Sequence, residues 1–176
     1  MKVDTTPLAG VWTIDIERHD DSRGFFARTF CTEELASRGL HMQPSQVSIS
    51  FNEKRGTLRG LHFQKMPHAE IKIVRCTKGA IYDVALDLRL TSSTFGRWHG
   101  VELTEDNRRA LYIPGGCAHG FQSLQDRTEV LYMIEGAFVP TSASGVRFDD
   151  PSFGVKWPEP VTVISERDLT FPTFGT

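Results

Sequence analysis

Residues 56–79 read GTLRGLHFQKMPHAEIKIVRCTKG, and this one stretch carries Arg59, His62, Gln64, His68, Glu70 and Lys72. It reads as a strand, a turn and a strand. An imidazole titrates near neutral pH, so His62 has the chemistry of a general base. Lys72 opens the run IKIV ten residues later, where a cation can stabilise an oxyanion. Ile71 and Ile73 alternate with it, so its side chain shares a face with Val74. Tyr132, in EVLYM, offers a phenol whose reference pKa of ~10 makes it a proton donor at neutral pH. Arg23 and Arg59 carry guanidinium forks that suit phosphate oxygens. Taken singly, each residue has a commoner fate. A core histidine has its hydrogen bond satisfied, a strand-edge lysine is solvated, a strand tyrosine packs, and an arginine forms a surface ion pair.

The elements that must position these groups are short and alternating. AIYDVALDLR, residues 80–89, puts Tyr82, Val84, Leu86 and Leu88 on one face and Ile81, Asp83, Ala85 and Asp87 on the other. IKIVRC, HGVELT, ALYIP, GFQSL, EVLYMI and VRFDD are similar runs, punctuated by Gly, Pro, Asn and Asp. This spacing predicts a β-sandwich or barrel rather than βαβ units. One helix is expected, over CTEELASRGL at 31–40, with Thr32 as cap and Gly39 as stop. The segment after residue 152, rich in Pro and aromatics, reads as an extended tail packed over the domain.

The chain has 176 residues, which fits one domain. A net charge of -2 argues against a nucleic-acid binder that relies on a basic field. Cys31, Cys76 and Cys117 are odd in number and lack CxxC spacing, which predicts reduced thiols in a cytoplasmic protein. No apolar run approaches the ~18 residues of a membrane helix, and no membrane partner is expected.

Gly56, His62, Gln64, Glu70 and Gly79, followed by PGGCAH with Pro114, Gly116 and His119, resemble the two motifs of the cupin family. That resemblance implies an all-β double-stranded β-helix, or jelly roll. Metal-binding cupins place a second histidine where Gln64 stands here. His62 and His119 without a close third ligand hold zinc or iron poorly, so no metal and no cofactor are expected. A wider ordered set is also present: RGFF at 23–26, GTLRGLHFQ at 56–64, KIVRCTKGAIYDVALDLR at 72–89, STFGRW at 93–98, IPGGCAHGF at 113–121, EVLY at 129–132 and WPEP…ISERD at 157–168. Together these are similar to the dTDP-4-dehydrorhamnose 3,5-epimerase family, over about residues 10–170.

The resemblance implies a nucleoside-diphosphate 4-keto-6-deoxyhexose as substrate, inverted at carbon 3, carbon 5 or both through an enolate. It assigns His62 as base, paired with Asp168 of ISERD, Lys72 as enolate stabiliser and Tyr132 as acid on the opposite face. For Asp168 a turn or helix cap is the competing role. His119 is expected to add a hydrogen bond, with Asp83 orienting His119 or Lys72. Arg23, Arg59, Gln46 and Phe26 are expected at the nucleotide and sugar. A homodimer is implied, with an N-terminal segment crossing to the partner. Arg28 departs from the family's usual Glu, which accepts the thymine ring N–H. Arginine only donates, which weakens dTDP and admits a CDP-sugar. The competing functions are a 3,4-ketoisomerase, a non-catalytic nucleotide-sugar binder and a metal-dependent cupin oxygenase.

Overall fold

The alternating runs pair into two antiparallel sheets in the computed structural model, which describes residues 1–174. The first sheet has six strands in the order β1 (Lys2–Thr5), β2 (Trp12–Asp15), β10 (Ala110–Ile113), β7 (Ile71–Lys78), β12 (Thr128–Glu135) and β5 (Gln46–Asn52). The second has five: β13 (Ala143–Gly145), β6 (Leu58–Gln64), β11 (Cys117–Ser123), β8 (Ala80–Asp87) and β9 (Trp98–Thr104). A separate hairpin joins β3 (Arg18–Asp21) to β4 (Gly24–Ala27). Sheets facing one another with crossing connections make the expected jelly roll.

The two-residue period of each strand sorts its side chains into three apolar layers. Between the sheets lie Val74, Cys76, Ile81, Ala85, Leu111, Cys117 and Phe121. Outside the six-stranded sheet, Ile73, Ala110 and Tyr112 pack against Leu35, Leu40 and Met42 from the segment of α1 (Thr32–Ala36). Outside the five-stranded sheet, Leu61, Val84, Leu86 and Ala118 are covered by Phe153, Val155 and Trp157 of the C-terminal segment. Both faces of β8 are therefore buried, and Asp83 is fully enclosed on the inner one.

Local details differ in three places. Helix α1 is shorter than expected and is preceded by Cys31, so Thr32 is its first helical residue and makes no cap. The run VRFDD is not a strand. Its Asp150 N–H turns back onto the Arg147 carbonyl, and Arg147 pairs with Asp149 at 2.8 Å. The tail holds a second helix, α2 (Glu166–Leu169), capped by Ser165, whose hydroxyl accepts from the Asp168 N–H.

The tail is stitched to the domain in order along its length. Trp157 Nε1 donates to the Phe148 carbonyl at 2.9 Å. The fully buried Gln122 exchanges two hydrogen bonds with the Glu159 backbone. Leu58 N–H then donates to the Val163 carbonyl at 2.8 Å. These contacts deliver α2 to one flank of β6.

Candidate active site

A cavity of about 330 Å³ opens between the sheets. The six-stranded sheet contributes Gln46, Ser48, Ser50, Lys72 and Tyr132 to its wall. The five-stranded sheet contributes Arg59, His62, His119 and Phe121. A second cavity, of about 360 Å³, shares Arg59 and His62 and adds Ser165, Arg167 and Asp168. Of the expected site residues, His62, Lys72, Tyr132, Arg59, Gln46 and His119 therefore meet at one cavity. Asp168 and Asp83 stand behind the two histidines.

Arg59 and His62 are three apart, and on a regular strand they would face opposite ways. A bulge brings them to the same side. His119 pairs with His62 and Phe121 with Arg59, so β6 spends three steps where β11 spends two. Glycine makes this possible. Gly60 has φ +128, and a Cβ there would sit 2.5 Å from Gly120 Cα.

The bulge also frees a backbone donor. Gly60 N–H donates to Asp168 Oδ2 at 3.0 Å, while Asp168 Oδ1 meets His62 Nε2 at 2.7 Å. Burial opposes charge on Asp168, yet the bonds from His62 and Gly60 outweigh it and hold its pKa below the usual carboxylate range. An ionised carboxylate only accepts, so His62 Nε2 must carry the proton. In the neutral ring Nδ1 is then the nitrogen with a free lone pair. Asp168 is thus an orienting carboxylate, and the cap of α2 belongs to Ser165.

His119 repeats the arrangement deeper inside. Its Nε2 lies 2.7 Å from Asp83 Oδ1, with both residues buried. Asp83 therefore orients His119 and not Lys72. Lys72 has a partner that was not assigned to it: its Nζ is 3.2 Å from Glu70 Oε2. Gln64 Nε2 donates to Glu70 Oε1 at 2.9 Å, and Gln64 Oε1 accepts from the Val139 N–H at 2.7 Å. At the position where metal-binding cupins keep a histidine, this chain has an amide that ties Glu70 to a neighbouring loop. Among the described residues, no group of three His, Cys, Asp or Glu side chains is placed to hold a metal ion.

Tyr132 faces the five-stranded sheet from β12. Its hydroxyl is 3.0 Å from Ser50 Oγ, and its ring meets His119 edge-on at 6.1 Å. Burial pushes the phenol well above its ordinary value, against a smaller opposing effect of the Ser50 bond. Arg59 is held by Asn52 Oδ1 at 2.8 Å and the Phe51 carbonyl at 3.2 Å. Gln46 Nε2 donates to the Gly136 carbonyl at 3.0 Å.

Three expected residues lie elsewhere in this chain. Arg23, Phe26 and Arg28 belong to the β3–β4 hairpin or the segment just after it, and none lines either cavity. Arg23 is 88% exposed and bonded to Asp21, and Phe26 is 72% exposed. Arg28 binds Glu34 at 2.6 Å, so its charge already has a partner.

Sequence reasoning missed Ser48, Ser50, Arg167 and the role of Glu70. The serines were recoverable, because SQVSIS puts Gln46, Ser48 and Ser50 on one face by strand period. Arg167 had only its place beside Asp168 to mark it.

An imidazole backed by a carboxylate on one wall and a half-buried phenol on the other can remove a proton and return one from across the cavity. That is the work of an epimerase, the class this fold and site define. The chain belongs to the dTDP-4-dehydrorhamnose 3,5-epimerase family, whose model matches residues 5–176. It is 42% identical over 166 residues to a dTDP-4-dehydrorhamnose 3,5-epimerase of Methanothermobacter thermautotrophicus, covering 93% of this chain and 89% of that one. The crystal structure of the Elizabethkingia anophelis enzyme superposes with a TM-score of 0.95 at 36% identity, covering 99% and 96% of the two chains. A Legionella pneumophila 3,5-epimerase, solved in complex with dTDP-4-keto-L-rhamnose, superposes with a TM-score of 0.91 at 32% identity, over 98% and 92%.

Proposed function

We propose that this protein epimerises a nucleoside-diphosphate 4-keto-6-deoxyhexose at the carbons beside its ketone. The observation that carries this reading is the His62–Asp168 contact of 2.7 Å on one sheet, with Tyr132 on the other. His62 Nδ1 takes the proton from the carbon, and the C–H electron pair moves to the carbonyl oxygen as the enolate forms. Lys72 and His119 line the same cavity and are the groups to stabilise that oxygen. The Tyr132 hydroxyl gives a proton to the opposite face of the carbon, which completes the inversion as the carbonyl re-forms. Arg59, which lines both cavities, and Arg167, which lines the second, are the cations for the diphosphate.

For the nucleotide we assign dTDP. The relatives' names support this, as does the pairing of Arg28 with Glu34, which removes the cation that argued for cytidine. We assign a homodimer from the exposed side chains. Val47, Ile49 and Phe51 form an outward apolar row on the edge strand β5, and the β3–β4 hairpin holds Arg23 and Phe26 in the open. The three free cysteines fit a reducing cytoplasm.

Incubating dTDP-4-keto-6-deoxyglucose with the enzyme in D2O tests the reading. The wild type is expected to wash deuterium into the carbons beside the ketone and to invert them, and His62→Ala to do neither. Tyr132→Phe is expected to keep wash-in but lose inverted product. Wash-in that survives His62→Ala undiminished would remove the base from the proposal.

A further inference from the structure

The imidazole of His62 is tied to Asp168 through one nitrogen only, and its side chain is 39% exposed. A ring held at a single atom can still tilt about that bond. Something else must fix its plane if Nδ1 is to meet a substrate carbon.

The ring that does so comes from the tail. Phe171 stands edge to face with His62, with centroids 5.8 Å apart and planes at 73°. On another side it meets the Arg167 guanidinium, 5.7 Å from its centroid. Phe171 lines neither cavity, so it does not touch substrate there.

The place for this ring is made by an absent side chain. Gly145 on β13 is the register partner of His62 on β6. A Cβ at Gly145 would fall 2.3, 2.4 and 2.5 Å from three atoms of the Phe171 ring, closer than carbon atoms approach. The glycine is there for space, directly beside the base. Phe171 follows Asp168 by three positions, so one short piece of tail supplies both the hydrogen-bonding and the packing restraint on the imidazole.

We infer that Phe171, seated in the slot left by Gly145, is a positioning residue for catalysis: it sets the plane of the His62 ring so that Nδ1 faces the cavity. This rests on the reading of His62 as base. Misplacing a reacting group by about 1 Å costs up to ~100-fold in rate.

The test is a set of steady-state measurements on dTDP-4-keto-6-deoxyglucose with the full chain. Phe171→Ala is expected to lower kcat about 10- to 100-fold while KM stays within about twofold, and Phe171→Leu to recover most of the loss. Gly145→Ala is expected to lower kcat similarly, because its methyl displaces the ring. In the Phe171→Ala background, where the slot is empty, Gly145→Ala is expected to cost nothing further. His62→Ala is run beside them: activity there sinks the base assignment, whereas an inactive His62→Ala with wild-type kcat in Phe171→Ala sinks only this inference. So would equal losses from Gly145→Ala with and without the phenyl ring, or a change confined to KM. Should Phe171→Ala fail to fold by circular dichroism, the Phe171→Leu pair decides. Gly145→Ala must then cost less kcat beside the leucine than beside the native ring.

Discussion

His62 and His119 stand opposite each other on neighbouring strands, and each gives its Nε2 to a different carboxylate. Asp168 reaches His62 from the tail, and Asp83 reaches His119 from the strand on its other side. The two pairs share a cavity but no ligand, so they can be disabled separately.

Asp168→Asn should therefore abolish proton removal selectively. An amide can donate to Nε2 and turn the ring into the wrong tautomer, which in a hydrolase His–Asp pair costs about 10⁴ in kcat. Loss of deuterium wash-in with nucleotide binding intact is the expected result. Asp83→Asn should leave wash-in measurable and slow it less, since His119 is assigned to the enolate oxygen and not to the carbon. Equal losses from both substitutions would contradict the division of labour.

Lys72→Ala should cost stability as well as rate. It strands Glu70 in a buried site, and breaking such a pair from one side costs about 3 kcal/mol or more. The double change Lys72→Ala with Glu70→Gln should recover much of that stability without recovering activity. Thermal melts beside wash-in rates would show the two effects parting.

Acid should unfold the protein partly through two carboxylates. Burial works against charge on both Asp168 and Asp87, but bonds from His62 and Gly60 on the first, and from Arg89, Ser92 and Thr94 on the second, pull each below its ordinary value. Each therefore adds stability that is complete above the unfolded pKa of ~4 and is lost as pH falls through the lower folded value. The slope is about 1.4 kcal/mol per pH unit for each proton taken up. Urea midpoints measured downward from pH 5 should fall more gently in Asp87→Asn, relative to its own value at pH 6, than in the wild type.

Assembly and nucleotide choice can be read together. Val47→Asp with Ile49→Asp should convert a dimer to a monomer in light scattering, because charge would replace the apolar row on β5. Calorimetry on the wild type should show dTDP binding more tightly than CDP; the reverse order would return Arg28 to the base-recognition role its sequence position suggests.

The strands were legible because the two-residue period survives in runs such as IKIVRC and AIYDVALDLR, whichever layer they face. The site was partly legible. His62 and Lys72 stood out through their places in the ordered motif set, but Arg59 reaches the same cavity only through the bulge at Gly60, which breaks the period that sequence reading relies on. Asp83 was expected to orient either His119 or Lys72, and the choice was open because His119, the partner it has in the fold, is 36 residues away. The hairpin residues are a different case. Arg23, Phe26 and Arg28 have the chemistry of a binding site, but pairing within one chain leaves them outside its cavity, and a single sequence carries no mark of what a second copy would cover.

The stitched tail has a consequence for when this enzyme becomes active during its synthesis. The base and the carboxylate that steers it are separated by 106 positions. A ribosome has therefore released both sheets' worth of strands before α2 emerges to complete the pair. Until that helix docks, His62 lacks the carboxylate that holds its Nε2, and the outer face of the five-stranded sheet lacks its cover.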